Sequence, residues 1–99
     1  MTSSPIDLSR VRAKDVGFGA ETLIVELVDG RILTVPIEWY PRLAQGSPAE
    51  RANWLLIGPG QGIHWPDLDE DLSVEDLLLG RRSGESPESL RRWLQARGR

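Results

Sequence analysis

The apolar positions of this chain come in short runs separated by glycine, proline and aspartate, a pattern typical of short strands and helices in one small domain. Residues 11–18 alternate weakly between apolar and polar side chains and predict a first strand. Residues 54–57 and 63–65 predict two further strands. The glycine-rich residues 58–62 between them predict a tight turn.

The clearest local signal is a β-hairpin. Residues 23–28 and 31–35 flank Asp29-Gly30, a pair that accepts positive φ at both central positions of a type I′ turn. The pattern therefore predicts two strands joined by a two-residue turn. In that register one face of the ribbon is predicted to meet the core, and its members are Leu23, Val25, Leu27, Ile32 and Thr34.

Three serines mark predicted helix starts. Ser47, Ser73 and Ser86 each precede a run with helical character, and a serine hydroxyl can accept a hydrogen bond from one of the free N–H groups of a first helical turn. A further short helical piece is predicted over residues 41–45. Most of these helices are too short to be stable without packing against a sheet.

The C-terminal segment is an Arg-rich extension over residues 83–99. Leu90, Trp93 and Leu94 form an i, i+3, i+4 apolar stripe on it, which predicts an amphipathic helix. The predicted fold is a single small α+β domain, with a mostly antiparallel sheet of about five strands, short helices and this C-terminal helix. We assign residues 1–82 to the domain and treat residues 83–99 as an extension, not a separate domain.

Composition narrows the class of protein. The 99 residues hold 12 basic and 15 acidic side chains, a net charge of −3, with 39% hydrophobic residues, as expected for a globular domain. The charge is uneven, because residues 1–80 carry −7 and residues 81–99 carry +4. The absence of cysteine excludes disulfides and thiolate zinc sites. No apolar run approaches the roughly 20 residues of a membrane span, so we expect a soluble cytoplasmic protein with no membrane partner.

The order of these segments resembles a bacterial family of unknown function, DUF2442. The resemblance rests on the Asp29-Gly30 hairpin, on residues 35–36, 41–43, 50–51 and Trp54, on Gly62-Ile63-His64-Trp65-Pro66 with residues 67–74, and on the stop at residues 77–80. The resemblance implies a small α+β domain with a mostly antiparallel sheet. It also implies proteins encoded beside small partners, in arrangements like toxin–antitoxin pairs, and no established catalytic residues. Some relatives carry a helix-turn-helix domain, which residues 81–99 are too short to form.

Candidate chemistry is sparse. His64 is the single histidine, and we expect it to be structural or solvent-facing, because a general base needs an orienting partner and a metal site needs more ligands. An acidic side chain could still meet it in the folded chain. The acidic residues 67–71 have the spacing of the start of a calcium loop, but Leu72 and Leu78 occupy the positions that need glycine and glutamate. We therefore predict no catalytic, cofactor-binding or metal-binding residue, and we expect a protein that is not an enzyme.

Aromatic residues offer the first candidates for partner binding. Trp54 and Trp65 fall on adjacent predicted strands and are predicted to lie in the core. Trp39 and Tyr40 lie on a connection, where a consecutive pair is hard to bury completely, so the core and an interface are equally open for them.

The C-terminal arginines offer the second candidates. Arg91, Arg92 and Trp93 together suit either a nucleic-acid strand or a docked helix that packs on the body or on a second copy. The favoured hypothesis is a non-enzymatic interaction or regulatory module, antitoxin-like, whose partner is another small protein or a second copy. The alternative is nucleic-acid binding through the Arg-rich helix, possibly as a dimer.

Overall fold

The described residues form two three-stranded antiparallel sheets, four short α-helices and a 3₁₀ helix over Ile37–Trp39. The structure is a computed structural model and describes residues 10–97. The remaining residues, 1–9 of the predicted domain and 98–99 at the end of the predicted Arg-rich helix, lie outside the described part. The first sheet has the order β1-β2-β3 and the second the order β4-β5-β6. The strands are β1 (Ala13–Phe18), β2 (Thr22–Leu27), β3 (Ile32–Pro36), β4 (Leu55–Ile57), β5 (Gly62–Trp65) and β6 (Glu70–Ser73), and the helices are α1 (Pro41–Ala44), α2 (Pro48–Ala52), α3 (Val74–Leu78) and α4 (Pro87–Ala96).

The α+β class is confirmed, but the described chain has six strands in two sheets instead of about five in one. The missed strand is β6, which begins in the acidic segment 67–71, where the sequence pattern predicted no strand. Its residue Leu72 pairs with Ile63 and is buried, whereas Asp71 beside it is exposed. Because most residues of this segment are acidic, the sequence does not show the alternation of buried and exposed positions. Asp69, at φ 51°, makes the tight turn that brings β6 back against β5.

The first hairpin forms, but its predicted two-residue turn is wrong. The Leu27 N–H donates to the Arg31 carbonyl at 2.8 Å, and the Gly30 N–H donates to the Leu27 carbonyl at 3.0 Å. Gly30 takes a positive φ of 95°, and Asp29 does not. The loop therefore has three residues, with glycine at the left-handed position after an ordinary turn.

This one-residue difference inverts the predicted faces of β3. Leu23 pairs with Val35 and Val25 pairs with Leu33, so Val35 joins the core while Ile32 is 65% exposed. The core prediction is confirmed for Leu23, Val25 and Leu27, and it is wrong for Ile32 and Thr34. A strand alternates with period two, so a shift of one residue exchanges its two faces.

The three serine caps are confirmed. Ser47, Ser73 and Ser86 each accept a hydrogen bond from the backbone N–H three residues later, at 3.1, 3.3 and 3.1 Å. At Ser47 the Glu50 carboxylate also accepts from the serine N–H, which completes a capping box. Helix α3 ends at Leu78, and Gly80, two residues later, has a φ of 76° that lets the Arg81 N–H return to the Asp76 carbonyl at 3.0 Å.

The core lies between the two sheets and is completed by the short helices. Trp65 is fully buried, as predicted, and its indole N–H donates to the Arg51 carbonyl at 3.0 Å, so its polar atom is satisfied. Trp54 is only half-buried at the margin of the core. The buried residues are Ala13, Val16, Leu23, Val25, Leu27, Val35, Ile37, Tyr40, Leu43, Ile63, Trp65, Leu68, Leu72, Val74 and Leu77.

The glycine-rich β4–β5 turn joins the two sheets. The Ala13 N–H of β1 donates to the Gly60 carbonyl at 2.6 Å, and the Val74 N–H of α3 donates to the Gln61 carbonyl at 3.0 Å. A Cβ atom on Gly60 would lie 2.3 Å from the Ala13 carbonyl oxygen, and the φ of Gly60 is 105°. Only glycine fits this position, because both the space and the backbone conformation exclude a side chain.

We expect Gly60→Ala to destabilise the protein more than Gly30→Ala. Both glycines have positive φ, which costs alanine roughly 1–2 kcal/mol, but the Cβ of Gly30 would meet open space. The clash with Ala13 adds a further cost of roughly 1–3 kcal/mol at Gly60. Urea unfolding of the two variants measures the difference, and equal losses would show that the contact between the sheets is unimportant.

Candidate interaction surfaces

Strand β4 exposes an apolar edge. Leu55, Leu56 and Ile57 are 56%, 37% and 39% exposed, although all three are large hydrophobic residues in one regular strand. Within residues 10–97, β4 pairs with β5 on one side, and the backbone groups of its other edge make no strand pairing. We refer to these three residues as the β4 edge.

The other edge strands carry features that oppose pairing with another chain. β1 has a bulge between Ala13 and Asp15 and bears charged side chains, and β3 ends at Pro36, which has no N–H to donate. β6 bears Glu70 and Asp71. In contrast, β4 holds no charge, no proline and no bulge, and the sequence from residue 52 to residue 63 carries no charged side chain.

Trp39 and Tyr40 contact residues 81–83, the connection that follows α3. The Tyr40 ring is buried, and its hydroxyl donates to the Arg81 carbonyl at 2.7 Å. The Trp39 carbonyl accepts from the Ser83 N–H at 3.0 Å, and the Arg82 guanidinium lies 4.7 Å from the centre of its ring. Tyr40 thus has a structural role, while Trp39 is half-exposed and its binding of a partner stays a prediction.

Helix α4 is fixed to the body by paired charges. The Glu85 carboxylate, just before the helix, accepts from the Arg42 guanidinium through contacts of 2.6 to 3.0 Å. At the other end of the helix, Arg97 donates to the Glu50 carboxylate at 2.8 Å. Both guanidiniums lie over the ring of Trp93, at 5.0 Å for Arg42 and 4.7 Å for Arg97. We call these five residues the α4 anchor.

The electrostatics of the α4 anchor favour attachment at neutral pH. The Arg42 guanidinium lowers the pKa of Glu85, and the Arg97 guanidinium lowers the pKa of Glu50. A carboxylate with a lower pKa in the folded chain contributes its full stabilisation above its ordinary pKa of 4.5 and loses it as the pH falls. The α4 anchor is therefore at full strength near pH 7, where it holds the partly buried Trp93, a predicted site residue, against the body.

Arg91 and Arg92 lie on the outer side of α4. Both side chains are exposed, and no ion pair to either is seen within residues 10–97. By contrast, Arg81 pairs with Asp76 at 2.8 Å and Arg82 covers Trp39. The structure therefore leaves two of the tail arginines on a common exposed surface, and their binding of a partner stays a prediction.

The ionisable groups of the second sheet are divided between its two faces. His64 projects away from the buried Ile63 and Trp65, as its position on the strand predicts, and its Nδ1 contacts the Asp71 carboxylate of the neighbouring strand. Glu70 lies opposite Trp65, where burial raises its pKa to about 6 despite an Asp71 N–H and the nearby Arg42. His64 and Glu70 therefore do not meet.

Two clefts flank the second sheet. One, of about 500 Å³, lies beside Ile57 and is bordered by Asp71, Glu75 and Asp76. A smaller one, of about 220 Å³, lies at Tyr40 and Glu70, and burial raises the pKa of Tyr40. Residues 10–97 hold no group of three or more histidine or acidic side chains placed to bind a metal ion. No helix in this part of the chain is long and apolar enough to cross a membrane.

Comparison with protein families decides the classification. The family described as "Protein of unknown function (DUF2442)" matches residues 13–83, which is most of the chain. The chain belongs to the DUF2442 family. The match covers both sheets and α1 to α3, and it ends before α4.

Two solved structures are similar to this DUF2442 chain. A protein of unknown function from Rhodospirillum rubrum superimposes with a TM-score of 0.67 at 27% identity, over 77% of this chain and 94% of its own. An uncharacterised protein from Chromobacterium violaceum superimposes with a TM-score of 0.64 at 20% identity, over 82% of this chain and 74% of its own. The second likeness shows the fold alone. No curated protein matches the chain.

The β4 edge was not among the residues predicted from the sequence. Residues 54–57 were predicted as a strand, but their position at the edge of a separate sheet depends on β6, which the sequence did not reveal. The available signal was the uncharged stretch from residue 52 to residue 63, which is long for a chain with 27% charged residues. Arg42 and Glu50 of the α4 anchor were also missed, because they are 43 and 47 residues from Glu85 and Arg97.

We expect Trp93→Ala to loosen α4 without unfolding the DUF2442 body. The substitution removes two cation–π contacts, each worth roughly 0.5–1 kcal/mol, and the packing of a large side chain. In hydrogen exchange, amides of α4 should exchange faster while those of β5 keep their protection. Arg92→Ala, one residue away and exposed, is the control, and equal effects of the two variants would contradict the anchor.

Proposed function

We propose that this DUF2442 protein is a non-enzymatic interaction module that binds a protein partner through the β4 edge. The observation that supports it is the exposure of Leu55, Leu56 and Ile57 on an unpaired strand edge that lacks charge, proline and bulge. Addition of a partner strand to such an edge is a common mode of recognition. Main-chain hydrogen bonds supply the affinity, and contacts of alternate side chains determine which partner is bound. The favoured partner is a small protein encoded nearby, in the antitoxin-like arrangement that the resemblance to the family implies.

The ionisable groups support a non-enzymatic role. Catalysis needs a nucleophile, base or acid within hydrogen-bond reach of an orienting partner and of an enclosed substrate. Asp71 orients His64, but the pair lies on the outer face of the second sheet beside the exposed Leu55. Glu70, whose pKa is about 6, projects to the other face.

The experiment is purification of the tagged chain from its native host, with determination of the mass and content of the complex. We expect a stoichiometric second protein that is retained by the wild type and lost from Leu55→Lys. A lysine at this position places an ammonium group where the partner's apolar side chains would pack, and charge at an edge opposes strand addition.

Ile32→Lys is the matched control for this experiment. Ile32 is 65% exposed, slightly more than Leu55, and it lies on the first sheet, away from β4. The control should retain the partner. A complex that survives Leu55→Lys, or that both variants lose equally, would contradict binding at the β4 edge.

A second candidate function is nucleic-acid binding by α4, possibly by a dimer. The observation that favours it is the exposure of the adjacent Arg91 and Arg92. Phosphate contacts by arginine release counterions, so affinity would fall steeply with salt.

The salt dependence of binding to a single-stranded oligonucleotide tests this candidate. Replacing Arg91 and Arg92 by alanine should reduce the slope of log affinity against log salt by roughly 0.7 for each lost phosphate contact. Lys14→Ala with Arg31→Ala removes the same charge from the first sheet and should leave the slope unchanged. Absence of binding, or equal slopes in the two double variants, would contradict this candidate.

A further inference from the structure

We propose that the β4 edge also binds a second copy of this chain, through antiparallel pairing of β4 with β4 about a two-fold axis at Leu56. This inference rests on the proposed function, since both use the same strand. It names the partner by its chemistry, which is a short, uncharged, apolar strand identical to β4. The product is one continuous six-stranded sheet made of the second sheets of two copies.

The charge pattern of the strand makes such pairing possible. Across a two-fold axis each side chain meets a neighbour from the same short segment, so a charged strand would repel itself. β4 has no charged residue, and neither has the sequence for three residues before it and six after it. β1 and β6 carry charges that would meet in this way, and β3 ends at a proline.

The side chains of β4 are complementary to themselves. With Leu56 opposite Leu56 of the second copy, Leu55 of each copy lies opposite Ile57 of the other. The two-fold axis makes these two pairs equivalent. In the β4–β5 register, Leu55 and Ile57 share the face of the second sheet that carries His64, opposite to the face of the buried Ile63. Pairing would join Leu55 and Ile57 of each copy into one apolar strip of four side chains.

The size of the interface fixes its strength. A stable dimer buries roughly 800 Å² on each partner, and a three-residue strand with partly exposed side chains supplies much less. The pairing is therefore weak and depends on concentration. A protein partner with a longer strand can displace the second copy from the same edge.

Sedimentation equilibrium from about 10 µM to about 1 mM chain measures the self-association. We expect the mass to rise from one chain of 11.1 kDa towards two. Leu55→Lys and Ile57→Glu should each raise the dissociation constant roughly tenfold or more. An equimolar mixture of the two variants should recover association, because the lysine of one copy then faces the glutamate of the other. Ile32→Lys should behave as the wild type.

Cysteine cross-linking tests the register independently of these charged variants. The chain has no cysteine, so Leu56→Cys introduces a single thiol on the proposed axis. Directly opposite residues of antiparallel strands lie within disulfide reach. Leu56→Cys should therefore cross-link several-fold faster than Ile32→Cys, although Ile32 is the more exposed residue.

The outcomes separate this inference from the proposed function. A wild type that stays at one chain mass up to about 1 mM, a mixture that associates no better than its components, or faster cross-linking at Ile32→Cys would overturn the inference. A monomeric wild type whose native partner is lost in Leu55→Lys would overturn the inference alone. A dimer with a native complex that Leu55→Lys leaves intact would overturn the proposed function alone.

Discussion

The contact between Gly60 and Ala13 is the constraint on which the arrangement of the two sheets depends. Here the backbone of the β4–β5 turn lies directly against the backbone of β1, with a hydrogen bond of 2.6 Å and no room for a side chain. The next residue of the turn, Gln61, accepts from the first N–H of α3. One short turn thus sets the position of the second sheet relative to the first, and with it the direction in which the β4 edge faces.

The two sheets differ in how completely their apolar side chains are buried. In the first sheet, the three-residue hairpin loop brings Val35 opposite Leu23 on the inner face and leaves Ile32 outside. In the second sheet, β5 lies in the middle and supplies the buried Ile63 and Trp65, while β4 contributes little to the core despite its composition. An apolar strand whose side chains remain this exposed in the folded chain is best explained by contact with another chain.

Much of the fold could be predicted from local patterns, because hydroxyl caps, glycine stops and alternating apolar residues act over a few positions. Ser47, Ser73 and Ser86 are examples, since each cap bond spans three residues. The hairpin register could not be predicted from Asp29-Gly30 alone, because that pair also suits a three-residue loop with glycine last. β6 pairs with β5 across a short turn, but its acidic residues hide the alternation of the buried Leu72 with the exposed Asp71. The place of β4 at the edge of a separate sheet could not be predicted without β6.

The α4 anchor has a consequence for how such proteins diversify. Helix α4 contributes no fully buried residue, it follows the region that matches the family, and it is held by the side chains of Arg42 and Glu50 on the surface of the body. A terminal helix attached in this way can be gained, lost or replaced during evolution without any change in the core. Within one family, the body can therefore stay constant while its C-terminal extensions vary.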